Sequence, residues 1–226
     1  MPRPRKPREI EVVDLFCGIG GLSYGLKTSG FRILAGYDLD GTCEYAYEHN
    51  NNASFQYRDI KSVTSSEIKS LYSKDSIKVL AGCAPCQPFS SYSHSKKEKD
   101  PNKYDLLYEF GRLVKEVKPD IVTMENVTQI VNFKEKPVLQ DFINTLTSTG
   151  YEVSVNKVFC PDYGVPQTRK RLVLLASRLG SITLIPPTHT KENYLTVGDV
   201  IRDLPPVKAG EGCPTDPLHR AIAISP

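Results

Sequence analysis

The chain has 226 residues, 39% hydrophobic and 24% charged, the make-up of one ordinary globular domain with at most a small appendage. No apolar run approaches the ~20 residues that span a bilayer, and the basic start MPRPRKPREI has no apolar stretch behind it. Neither a membrane span nor a secretory signal is expected, so a cytoplasmic location is. The net charge of +3 sits within the first ten residues, where Arg3, Arg5, Lys6 and Arg8 outnumber Glu9. That Pro-broken arm reads as a solvated tail or a phosphate contact, and overall charge does not argue for a nucleic-acid partner.

Apolar runs rich in β-branched residues at 11–16, 31–37, 76–83, 120–126, 151–159 and 171–176 predict strands. Helical patterns lie between them at 21–29, 41–50, 64–73, 105–117 and 138–148. In the fourth, Leu106, Leu107, Phe110, Leu113, Val114 and Val117 recur at helical spacing. Alternating strands and helices predict an α/β protein with a mostly parallel sheet. Beyond about residue 177 the pattern degrades: 185–220 is rich in Pro and Gly, with one short helix candidate at 196–203.

In DLFCGIGGLSYGL (14–26) glycines stand where a buried strand gives way to a helix. There the backbone must turn tightly and approach a ligand under a helix N-terminus. Asp38 follows at the end of the second strand, placed to accept from ribose hydroxyls. Alone, this pattern also suits a nicotinamide enzyme or a turn with no ligand. Asp59, in YRDI (57–60), would end a third strand and either accept from an adenine amino group or cap a helix.

Six cysteines (Cys17, Cys43, Cys83, Cys86, Cys160 and Cys213) are too few and too scattered for a disulfide scaffold. GCAPCQPFS (82–90) follows a buried strand, so Cys86 is expected at the carboxyl edge of the sheet, its backbone stiffened by Pro85 and Pro88. A thiolate held there is a nucleophile. A Cys83/Cys86 redox pair would open a helix, which Pro88 and SSYSHSKKEKDPNK do not resemble. A zinc site would need two further ligands that no second CxxC or close His pair supplies, and no metal is expected. Cys83, ending the strand, reads as an inert buried thiol.

Taken together and in order, DLFCGIGG, APCQPFS, ENV (125–127) and QTRKR (167–171) closely resemble the motifs of the cytosine-C5 methyltransferases. The match is dense over 11–177 and loose over 178–226, and Ala84 stands where many members have proline. The resemblance implies a Rossmann-like S-adenosylmethionine-dependent methyltransferase fold, mostly parallel with one antiparallel strand. It implies a basic arm (1–10), a catalytic domain (11–180) and an extension (181–226) leading toward a target-recognition region.

It also implies the chemistry. Cytosine C5 is a poor nucleophile, so members of this family add a thiolate to C6, which turns C5 into an enamine carbon able to take a methyl group. Cys86 is implied as that thiolate. Glu125 is implied as the acid at N3 and the exocyclic amine, Arg171 as the group holding O2, and Arg169 as an orienting residue near Cys86, with Gln167 as a positioning residue. No side chain is implied as the base that removes the C5 proton; water is expected. The target base must be flipped out of a duplex. The donor site implied comprises Phe16, Gly18, Gly20, Asp38, Leu39, Asp59 and Ile60. The lysine-bearing loop 91–104 is implied to close over DNA, or else is a solvated loop.

The family pattern continues into a recognition region, an organising segment and a final Asn-containing helix, none of which lies within these 226 residues. Two arrangements are therefore expected alternatives: a split restriction–modification enzyme whose second polypeptide supplies recognition and the last helix, or a truncated, silent remnant that still binds cofactor. Double-stranded DNA is the expected substrate, though a tRNA-directed member shares the same motifs. A nicotinamide oxidoreductase would leave APCQPFS and QTRKR unexplained.

Overall fold

The computed structural model describes residues 7–85, 105–132 and 137–223. Cys86, the loop 91–104 and the arm up to Lys6 lie outside the described residues. Two compact units are distinguished, one formed by residues up to 158 with 170–186, the other by 159–169 with 187 onward.

The first unit is built on a seven-stranded sheet. Its strands are β1 (Ile10–Leu15), β2 (Arg32–Asp38), β3 (Ser54–Tyr57), β4 (Ile77–Gly82), β5 (Ile121–Val127), β6 (Glu152–Phe159) and β7 (Lys170–Ser177), in the order β3-β2-β1-β4-β5-β7-β6. Neighbours from β3 to β5 pair in parallel, and β5 pairs antiparallel with β7. The α/β expectation with one antiparallel strand holds. The short strand β3 escaped the apolar-run count because only Phe55 of its four residues is buried.

The helices of this unit are α1 (Gly21–Thr28), α2 (Glu44–Asn51), α3 (Ser65–Leu71), α4 (Asp105–Val117) and α5 (Val138–Ser148). β1 is almost continuously buried because both of its faces are covered. Val13 and Leu15 face a core shared with Ile68 of α3, Phe110, Leu113 and Val114 of α4, and Phe142 and Leu146 of α5. Val12 faces the opposite core with Tyr47 of α2 and Leu22 and Leu26 of α1. Five of the six apolar positions read from α4 are buried, and Leu106 packs at the margin.

β5 and β7 alternate instead. Val122, Met124, Leu172, Leu174 and Ala176 fill the first core. Thr123, Glu125 and Val127, which pair with Leu175, Val173 and Arg171, are only half-buried. One face of this half of the sheet is therefore partly bare.

The second unit is small. Asp162 anchors it: its carbonyl accepts the amides of Thr188 (2.9 Å) and His189 (3.0 Å), and its carboxylate accepts the Tyr194 hydroxyl. The expected short helix is α6 (Val197–Ile201), started by a capping box between Thr196 and Asp199. A hairpin of β8 (Gly212–Cys213) and β9 (Asp216–Arg220) follows.

Candidate active site

The parallel strands end together, and the residues singled out in the first unit gather along that edge. The chain leaves β1 through a cramped turn. Phe16 (φ +58°), Gly18 (φ +50°) and Gly20 (φ +88°) all adopt left-handed backbone, and Gly20 caps α1. An aromatic residue rarely adopts this conformation, at a cost of roughly 1–2 kcal/mol. Backbone bonds from Gly20 N–H to Cys17 O (2.9 Å) and from Cys17 N–H to Tyr37 O (3.1 Å) hold the turn to itself and to β2.

Asp38 closes it from the side. One carboxylate oxygen accepts the Gly18 amide at 2.8 Å and the other accepts the Asp40 amide at 3.0 Å. A carboxylate offers about four lone-pair sites, so two remain for hydroxyls of a ligand. Leu39, next to it, is 64% exposed, a bare apolar side chain beside an acid. Asp59 caps the 3-10 turn Ile60–Ser62 by accepting the Lys61 amide at 3.0 Å, while remaining exposed. Ile60 belongs to the core, and its carbonyl accepts from Arg112.

Below the turn lies a carboxyl that sequence reading did not single out. Asp14 is fully buried and accepts the Ser23 hydroxyl at 2.7 Å, with its second oxygen unpartnered. Burial pushes its pKa up to about 7; the Ser23 hydrogen bond opposes the rise and the nearby Asp38 charge adds to it. Only its place inside an apolar strand, EVVDLF, marked it in the sequence.

β4 ends at the same edge and is followed there by Cys83 and Ala84. Cys83 N–H donates to Leu15 O (3.2 Å), and burial, followed by the charges of Asp14 and Glu125, pushes its thiol far above the ordinary range. Cys83, expected as an inert buried thiol, is only partly buried here. Two residues before Cys86, the Ala84 carbonyl accepts the Asn126 side-chain amide at 3.2 Å, and Asn126 Oδ1 accepts the Val127 amide. The middle residue of ENV thus ties β5 to the segment entering the cysteine loop, a link the motif contained but spacing alone did not reveal.

Glu125 and Arg171 meet. Arg171 Nε lies 2.6 Å from Glu125 Oε1, with both side chains partly buried. The antiparallel course of β7 brings them together: β7 begins where β5 ends, and Arg171 stands opposite Val127. Arg169 belongs to the second unit, is exposed, and its carbonyl accepts the Cys160 amide at 2.8 Å. Among the described residues no cluster of His, Cys, Asp or Glu is arranged to hold a metal ion, and no helix is long and apolar enough to cross a membrane.

This architecture recurs in known proteins. A DNA modification methyltransferase candidate from an E. coli prophage superposes with a TM-score of 0.75 at 26% identity, covering 89% of this chain and 57% of that one. The type II methylase M.HgiDII of Herpetosiphon aurantiacus is 49% identical over 213 residues. That match covers 94% of this chain and 60% of M.HgiDII, so the chain spans well under two thirds of that relative. The type II methyltransferase M.AquIA of Picosynechococcus sp. is 29% identical, with 96% of this chain and 95% of M.AquIA covered. The family model for C-5 cytosine-specific DNA methylases matches residues 10–217. With a mostly parallel sheet that includes one antiparallel strand, and a family model that spans most of its length, the chain belongs to the C-5 cytosine-specific DNA methylase family.

Proposed function

We propose that this chain is the catalytic portion of an enzyme that transfers a methyl group from S-adenosylmethionine to C5 of cytosine in double-stranded DNA. The observation that carries the reading is the Glu125–Arg171 pair at 2.6 Å. It sits on the sheet edge where Asn126 also binds the segment entering the Cys86 loop.

The donor residues fit the group. S-adenosylmethionine, when bound, supplies an electrophilic methyl on a sulfonium sulfur. Asp38 has acceptor capacity left for ribose hydroxyls, Leu39 offers apolar surface to an adenine, and the exposed Asp59 can accept from its amino group. Phe16, Gly18 and Gly20 bring backbone close, and Ile60 supports this pocket from the core side.

The remaining steps belong to the protein and the base. The Cys86 thiolate adds to C6, breaking the C5–C6 double bond and moving charge toward N3 and O2. Glu125 donates at N3, and Arg171 holds both O2 and the Glu125 carboxyl in position. Arg169 orients the cysteine loop. C5, now an enamine carbon, takes the methyl; a water then removes the C5 proton, the returning electron pair expels Cys86 as thiolate, and N3 gives its proton back to Glu125. Base flipping brings the cytosine to this edge.

Recognition of a DNA sequence is assigned to protein outside these 226 residues, on a second polypeptide of a restriction–modification system acting in the cytoplasm. Two observations support a protein partner. The β5–β7 face is half-bare, and Leu195, Val197, Val200, Ile201 and Leu204 are all at least 40% exposed. The basic arm 1–10, catalytic domain 11–180 and extension 181–226 are the division this reading assigns. The test is transfer of labelled methyl to unmethylated plasmid DNA by this chain alone and with the product of the neighbouring reading frame. Transfer only with the neighbour supports the reading; donor binding without transfer in either case marks a silent remnant.

A further inference from the structure

Two residues of α2, Tyr47 and Asn51, lie one helical turn apart, are buried, and reach beneath the glycine turn. The Tyr47 ring fills space at two glycines. A side chain at Gly20 would come within 2.8 Å of the ring and collide with the Asn51 amide, and one at Gly36 would collide with the ring and its hydroxyl. Gly36 lies within β2, where backbone freedom is not needed; what it provides is room for Tyr47.

Polar contacts complete the brace. The Tyr47 hydroxyl is 3.0 Å from Ser23 Oγ, which donates to Asp14. Asn51 Nδ2 donates to the Tyr47 carbonyl at 2.9 Å and reaches the Gly20 carbonyl at 3.4 Å. Among the described residues, only Asp14 Oδ1 and Asn51 Oδ1 are buried side-chain oxygens or nitrogens with no hydrogen-bond partner. Each such group costs about 1–3 kcal/mol, which apolar side chains of similar shape would avoid. Polar groups kept there at that cost are better explained by control of the turn than by packing.

We propose that Tyr47 and Asn51 are positioning residues for the methyl donor. They clamp Gly20 from beneath while Asp38 holds Gly18 from the side, so the strained Phe16–Gly20 backbone is set in its binding shape before the donor arrives. Such pre-organisation strengthens binding by removing an ordering cost. The inference rests on the assignment of this turn to S-adenosylmethionine.

The test uses the full chain and the variants Tyr47→Phe, which keeps the ring, and Asn51→Ala. Two quantities are read: amide hydrogen exchange in donor-free protein and S-adenosylmethionine affinity by calorimetry. Exchange at residues 18–24 should rise ~10-fold in each variant, with β5 and β7 amides unchanged, and affinity should fall ~10-fold, the size of one lost hydrogen bond. Unchanged exchange at the turn overturns the brace. Faster exchange with unaltered affinity, or exchange raised across the whole sheet, reduces both residues to packing. Wild-type protein that binds no donor overturns the assignment of the turn and the positioning role with it, while exchange still decides whether the brace exists.

Discussion

Arg171 Nε stands 2.6 Å from Glu125 Oε1 because β7 runs against β5, so that the first residues of one strand meet the last residues of the other. A parallel strand in the same place would carry Arg171 to the far edge of the sheet. The antiparallel strand is thus what unites ENV and QTRKR, motifs about forty residues apart in the chain.

Arg171→Ala should slow methyl transfer by ~10²-fold or more, the usual scale for losing a group that supports acid catalysis, while donor affinity stays within a few-fold. Arg171→Lys should recover little, since an ammonium cannot reproduce a planar guanidinium that orients one carboxyl and binds a second acceptor. Single-turnover transfer by the chain supplied with its recognition polypeptide measures this. A Lys variant at wild-type rate would leave Arg171 a bare charge.

Asp38→Ala removes the acceptor for the Gly18 and Asp40 amides together with the site offered to ribose. Donor affinity by calorimetry should fall ~10–100-fold, in line with ~1.5–3 kcal/mol for hydrogen bonds to a charged group. Affinity unchanged in a folded variant would take Asp38 out of the donor site.

Asp14 gives the fold a pH dependence of definite sign. Its folded pKa, about 7, exceeds the ordinary 3.8, so the folded protein holds a proton that the unfolded chain releases. The stability this contributes is full below pH ~4 and is lost as pH rises toward 7, on the order of 3 kcal/mol between pH 5 and 8. Asp14→Asn cannot ionise. Relative to wild type, its melting temperature should gain roughly 5–10 °C on going from pH 5 to pH 8 in donor-free protein. Parallel melting curves for the two proteins would show that Asp14 ionises normally.

The Cys83 thiol, partly buried and held well above its ordinary pKa by desolvation and by the charges of Asp14 and Glu125, should react slowly with alkylating agents. Brief iodoacetamide treatment at pH 8 followed by peptide mass analysis should find Cys86 modified and Cys83 intact. Prompt modification of Cys83 would reopen the CxxC pair as a redox site.

Much of this arrangement was legible in sequence because it follows from local rules. The core of α4 could be read from Leu107, Phe110, Leu113 and Val114, whose spacing is that of one helix face, and β1 and β4 from continuous apolar runs that only doubly covered strands show. Contacts between elements distant in the chain could not be read. Nothing in the spacing reveals that Tyr47 occupies the side-chain space of Gly36, or that Asn126 reaches Ala84. The sequence offers Asp38 as a ligand acceptor and Asp59 as either an acceptor or a cap; in the structure both bond backbone amides, Asp59 as the cap of Ile60–Ser62. Their role in shaping the edge precedes any ligand.

The most direct measurement of the central claim uses a duplex containing 5-fluorocytosine at the target position, incubated with S-adenosylmethionine, this chain and its recognition polypeptide. Fluorine cannot leave C5 as a proton does, so elimination stalls and the thiolate remains bonded to C6. A covalent protein–DNA adduct carrying one added methyl, with its peptide mapping to Cys86 and absent in Cys86→Ser, is expected. Methylation of ordinary DNA without any trapped adduct, or an adduct that persists in Cys86→Ser, would contradict the account.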